Sequence, residues 1–186
     1  MKKSLIQFIT IIPLTLLLCL TLSCQKQGKE GITEEEAKVL LDSYMDLWNE
    51  GNLSLVDEIY STDYVRRYVD IYEDIVGIDA YKQWIINTRT MLPDFHVTPE
   101  AEMIVKDDKI VSRWIAEGTN AGPLITPFGT FPSTGKKVRF YGVSIIHVVD
   151  SKIVEEWIYF NQASLLQQLG FTITPPAPPE PPEEKK

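Results

Sequence analysis

The residues best suited to chemistry lie near the end of the chain. Alternation along a strand from Ile153 to Phe160 puts Glu155, Trp157, Tyr159 and Asn161 on one face. If that face lines an apolar pocket, burial raises the carboxyl pKa toward that of a working base, and Glu155 becomes a candidate for proton transfer. The competing role is an ordinary ion pair with a Lys or Arg. Asn161 is either a polar group at the end of the same face or the N-cap of a following helix. The two histidines, His96 and His147, each stand alone in a strand, without metal-ligand spacing. His147 shares the face of Asn161 if the intervening hairpin loop has three residues, and opposes it if the loop has two or four. Trp48, Tyr64, Trp84, Trp114, Trp157 and Tyr159 recur at helix and strand spacing, where they line an apolar cavity or form plain core. Arg67 and Arg113 suit either an anionic ligand group or a salt bridge.

These side chains need elements to hold them. Lys136–Val149 and Ile153–Phe160 are rich in Val, Ile, Phe and Tyr, and Asp150-Ser151 between them supplies turn residues, so the pair reads as a long β-hairpin. A short helix follows, with Leu165, Leu166 and Leu169 on one face and Gly170 at its C-terminal end. Upstream, Thr33 and Glu36 have capping-box spacing ahead of Ala37, Leu40, Leu41, Tyr44, Leu47 and Trp48, which share one helix face. Gly51 ends that helix, and a second, short one starts near Ser54. Asp63–Tyr72 reads as a short strand. A third helix runs from about Ile78, through Tyr81, Trp84, Ile85, Thr88 and Met91, to Pro93. Phe95–Val105 and Lys109–Gly118 read as strands joined at Lys106–Asp108. Helices first and mostly antiparallel strands afterwards indicate an α+β domain. Ala121–Gly135 is rich in Pro and Gly but also carries Leu124, Ile125, Phe128 and Phe131, as expected of a loop that roofs a pocket mouth or meets another subunit.

The N-terminus has a separate task. Lys2 and Lys3 precede an uncharged apolar run, Leu5–Leu22, that reads as a secretory signal. Its ending, Leu22-Ser23-Cys24, resembles the bacterial lipoprotein signal, in which a small residue precedes a Cys that is lipidated; Thr21 stands where that pattern usually has Leu. An uncleaved anchor helix is the alternative. Both imply a domain tethered in the bacterial cell envelope, outside the inner membrane. The resulting division is a signal over 1–23, a tether over 24–32, a domain over 33–173 and a Pro/Glu-rich tail over 174–186, expected to be disordered. Cys19 lies within the signal and Cys24 would carry lipid, so the mature domain has no disulfide, Cys nucleophile or thiolate metal site. Removal of Lys2 and Lys3 with the signal takes the net charge from −8 to −10. With no basic run, this disfavours nucleic acid as a partner.

Pro93-Asp94-Phe95 at a strand start, Gly118-Thr119 at a strand end and Pro132–Val138 before the hairpin occur in the same order as in a known family. Together with Lys152–Trp157 and the closing Leu165–Gly170, they make the chain resemble the SnoaL-like polyketide cyclases, or ester cyclases, over roughly Thr33–Gly170. The resemblance implies a nuclear-transport-factor-like fold, similar in architecture to ketosteroid isomerase and scytalone dehydratase. In that fold a curved antiparallel sheet wraps helices into a cone around an apolar pocket. It also implies ring closure by intramolecular aldol condensation on a small hydrophobic substrate, with no metal or organic cofactor, and it makes the face of Glu155, Trp157, Tyr159 and Asn161 the pocket face. The family usually has Asp at the position of Asn161 and His at those of Arg67 and Asn120. Three readings stay open at this point: a cyclase using Glu155 and His147, a binding protein that uses the same cavity, and a homodimeric interaction module.

Overall fold

The computed structural model describes residues 31–68, 73–126, 129–172 and 174. The chain divides into Met1–Glu30 and Gly31–Lys186. The first unit lies outside the described residues, and with it the expected signal, Cys19, Cys24 and most of the tether; so do Phe128 and nearly all of the tail. Among the described residues, no helix is long and apolar enough to cross a membrane.

Helix α1 (Glu34–Glu50) starts as its spacing predicts: the Thr33 N–H donates to Glu36 Oε2 at 2.9 Å, and the Glu36 N–H donates to Thr33 Oγ1 at 3.2 Å. Its apolar series buries Ala37, Leu40, Tyr44, Leu47 and Trp48, and Gly51 closes it at φ 71°. Helix α2 (Ser54–Ile59) leads without a turn into β1 (Tyr60–Tyr68), so the strand begins earlier than expected. After β2 (Ile75–Val76), helix α3 (Ile78–Met91) buries Tyr81 and Ile85 and stops before Pro93.

The remaining strands are β3 (His96–Pro99), β4 (Ile104–Lys106), β5 (Lys109–Thr119), β6 (Leu124–Thr126), β7 (Gly129–Phe131), β8 (Lys137–Val149) and β9 (Lys152–Phe160), followed by helix α4 (Gln162–Leu169). The strand expected over Phe95–Val105 is two pieces, β3 and β4, both paired to β5. The main sheet runs β2-β1-β9-β8-β5-β3, with β4 also on β5. The α+β class is as expected, with N-terminal helices against a curved sheet, but the sheet is mixed: β1 pairs with β9 in parallel. No hairpin joins these two strands. They meet only after the chain has crossed the sheet through α3 and β3 to β8, and a long crossover permits parallel pairing.

The β8–β9 loop is Asp150-Ser151 alone, with φ 50° and 59°, a pair of left-handed residues that matches the twist of the flanking strands. Beyond it the register shifts: His147 faces Glu155 but Val148 faces Ile153, leaving Val154 as a bulge. Among its described residues, the Pro-rich segment does not line the aromatic cavity described below. It forms the β6–β7 hairpin, and Phe131 packs edge-on against Phe171 with ring centroids 4.9 Å apart. Asn120 is buried and staples the ends of that segment. It donates to the Gly122 carbonyl at 2.8 Å and accepts from the Thr134 N–H at 2.8 Å.

Candidate functional site

The bulge at Val154 decides which side chains of β9 face inward. Strict alternation from buried Ile153 would bring Glu155 and Trp157 inside. One extra residue reverses the phase, so that Glu156 and Ile158 are buried and Phe160 lines the same side. The expected pocket face is therefore the outer face. There Glu155 pairs with Arg67, which also reaches Asp74 at 2.5 Å. Trp157 lies beside Arg67 in the β1–β9 register, and Tyr159 is 42% exposed. His147, directly opposite Glu155, places Nε2 3.0 Å from Asp108 Oδ2. Although the loop has two residues, the bulge returns His147 to the face of Asn161. Asn161 itself caps α4, accepting from the Ser164 N–H at 2.9 Å. Arg113 pairs with Glu100 at 2.7 Å, and His96 is exposed in β3.

On the inner face the parallel register sets Arg66 against Glu156. Glu156 is fully buried and accepts three hydrogen bonds. Tyr44 donates to Oε1 at 2.8 Å, while Tyr64 and Arg66 Nη1 each donate to Oε2 at 2.8 Å. Arg66 also donates from Nε to the Tyr68 hydroxyl at 2.8 Å and from Nη1 to the Tyr81 hydroxyl at 3.2 Å. Its Cζ lies 5.4 Å from the Trp48 and Tyr68 ring centroids and 5.5 Å from that of Tyr81. Burial opposes the Arg66 charge, but the Tyr68 oxygen and the Glu156 carboxylate outweigh it and hold the guanidinium well above its usual pKa. Burial, reinforced by the Glu156 charge, pushes the Tyr44 and Tyr64 hydroxyls well above the ordinary phenol range, so both remain donors.

Above this cluster lies a cavity with about 640 Å³ of atom-free space, part of it open to solvent. Trp48 (α1), Trp84 (α3), Phe95, Trp114 (β5), Phe140 (β8) and Phe160 (β9) supply its aromatic wall, and Arg66 and Tyr68 lie on its polar side. The Trp114 indole is fixed by a 3.0 Å hydrogen bond to Ser144 Oγ. Of the residues singled out from the sequence, Trp48, Trp84 and Trp114 line the cavity. Tyr64 lies beneath it, and Arg67, Asn120, Trp157 and Tyr159 lie elsewhere. Among the described lining residues there is no carboxylate and no imidazole. The arrangement can enclose an apolar body and offer it hydrogen-bond donors.

Sequence reasoning passed over Tyr44, Arg66, Tyr68, Tyr81 and Glu156. A signal was present: Tyr64, Arg66 and Tyr68 alternate along a single strand face, and an Arg that strand periodicity sets between two tyrosines on a buried side requires a carboxylate.

The profile of the SnoaL-like polyketide cyclases matches residues 38–169. Among proteins of curated function, none is significantly similar to this chain. Among solved structures, TsrD of Streptomyces laurentii superposes with a TM-score of 0.64 at 20% identity, over 75% of this chain and 98% of that one. A Jannaschia sp. CCS1 protein assigned to the SnoaL-like polyketide cyclases gives 0.62 at 15% identity, over 82% and 99%. IdmH of Streptomyces antibioticus gives 0.58 at 23% identity, over 72% and 98%. At these identities the structures share the fold.

Proposed function

Because this chain belongs to the SnoaL-like polyketide cyclase family, whose profile spans most of its domain, we propose that its cavity takes up a small hydrophobic molecule of polyketide type. We further propose that the protein does so as an exported domain tethered to the cell envelope. The observation that carries the first part is the aromatic cavity, with Arg66 on its polar side and no carboxylate or imidazole among its described lining residues. Glu155 and His147, the base candidates, are engaged with Arg67 and Asp108 on the other face of the sheet. Binding is thus the leading role. Ring closure or proton transfer in the same cavity is the second reading; family membership favours it, and it needs a base other than these two.

Native mass spectrometry of the purified protein, after incubation with a lipid and metabolite extract of its host, should show a retained small molecule. Trp84→Ala removes one aromatic wall and should weaken that retention by about tenfold. An empty spectrum with every extract would overturn the binding role. Conversion of the retained compound by the wild-type protein would move the assignment to an enzyme.

The tether rests on Lys2, Lys3, the apolar run Leu5–Leu22 and Cys24. In the host, Cys24→Ser should shift the protein from the membrane fraction to the soluble fraction, and the wild-type mature chain should carry added acyl mass at its first residue. An unmodified Cys24 in the mature protein would rule out lipidation.

A further inference from the structure

The hydrogen-bond arithmetic of the cavity's polar side specifies its occupant more narrowly. A guanidinium has five N–H donors and no acceptor. In Arg66, Nε is engaged by Tyr68 and Nη1 by Glu156 and Tyr81, whereas Nη2 has no hydrogen-bond partner among the described residues. A second donor is also unmatched: the indole N–H of Trp48, a 4% exposed residue that lines the same cavity, is buried without a partner. Neither group can accept a hydrogen bond. Trp48 Nε1 is the only buried side-chain donor without a partner among the described residues, so Nη2 keeps access to open space, and an occupant that displaces water from it must bring an acceptor atom.

Charge narrows the choice. The positive charge of Arg66 is already matched by Glu156 at 2.8 Å, and Arg66 is the sole charged residue of the described lining. A carboxylate ligand would add a second anion to one cation in a poorly solvated site, leaving buried charge without a counterpart. A neutral acceptor oxygen satisfies Nη2 without that penalty. The donor is also held in place, since the guanidinium lies against the Trp48, Tyr68 and Tyr81 rings and is fixed by hydrogen bonds at Nε and Nη1. A donor fixed in advance loses little freedom when the ligand arrives.

We propose that Arg66 Nη2 is a receptor for a neutral carbonyl oxygen, so that the cavity selects ketones, esters or lactones over both hydrocarbons and carboxylates. This rests on the binding role of the cavity. Glu156 is a positioning residue, because it holds Arg66 and neutralises it without touching the ligand.

The test uses three probes with one ring and nearly one shape: acetophenone, isopropylbenzene and benzoate. Titration of the wild-type protein, followed by tryptophan fluorescence, should rank acetophenone about tenfold tighter than isopropylbenzene, although the hydrocarbon is the more apolar. Benzoate should bind about tenfold or more weaker than acetophenone. The infrared carbonyl stretch of bound acetophenone should fall below its value in cyclohexane, a readout that needs no variant. In the double variant Arg66→Met/Glu156→Met, with folding checked by circular dichroism, isopropylbenzene should become the tighter ligand. Wild-type binding that favours isopropylbenzene or benzoate would overturn the carbonyl receptor and leave the cavity's binding role standing. Failure of all three probes to bind would overturn both.

Discussion

Glu156→Leu should destabilise the protein by about 3–5 kcal/mol, as expected when one member of a buried ion pair is removed. The cause lies in what remains. Arg66 keeps the Tyr68 and Tyr81 oxygens but loses its counter-charge, and the Tyr44 and Tyr64 hydroxyls lose their shared acceptor in a fully buried site. Replacing Arg66 and Glu156 together by Met should recover part of the loss, because it leaves no orphaned charge, while the Tyr44 and Tyr64 hydroxyls still lack their acceptor. Urea unfolding of the two variants beside the wild type measures both effects. A loss below about 1 kcal/mol in Glu156→Leu would mean that water from the cavity reaches the guanidinium and replaces the carboxylate.

The second large effect comes from a residue with no side chain. A Cβ on Gly142 would lie 2.2 Å from Trp114 Cη2 and Cζ2 and 2.7 Å from Cε2, so the indole lies directly on the β8 backbone. The ring has little freedom to retreat, because Nε1 donates to Ser144 and Phe140 stands edge-on with centroids 6.1 Å apart. Gly142→Ala must drive Trp114 toward the cavity that it lines. The expected cost is about 1–3 kcal/mol of stability, the range for an overpacked core, together with at least about a tenfold loss of acetophenone affinity. Trp114→Phe in the Gly142→Ala background should restore part of the stability, and the double-mutant cycle should show clear coupling. Additive effects would indicate that the backbone, not the indole, absorbs the extra methyl group.

The sequence carried the elements better than it carried their faces. Helix α1 was legible from Thr33, Glu36 and the spacing of Ala37 to Trp48; α3 was legible from Tyr81, Ile85 and Pro93; the β8–β9 turn was legible from Asp150-Ser151. All of these depend on residues close together in the chain. The family was legible too, because several short motifs had to occur in one order. The inward face of β9 was not. A bulge leaves no mark in composition, and Val154 suits a regular strand as well as an irregular one. That single extra residue is why Glu155 was preferred to Glu156. The parallel β1–β9 pairing was equally hidden, since nothing in Tyr60–Tyr68 names a partner at the other end of the domain. Without it, Arg66 and Glu156 could not be joined on paper. In the Pro-rich segment, Leu124 and Phe131 did require apolar cover, and they find it in the hydrophobic core and on Phe171.

The parallel pairing of β1 with β9 also sets the order in which a working cavity can come into being. Arg66 and Glu156 are 90 residues apart, so loop-closure entropy must be overcome before their attraction repays it. During synthesis the walls emerge first, and Arg66 is made long before its counter-charge exists. Until β9 docks, Arg66 lacks the carboxylate that neutralises it and the cavity lacks the wall supplied by Ile158 and Phe160. A chain stalled or clipped before Glu156 is therefore the form expected to aggregate.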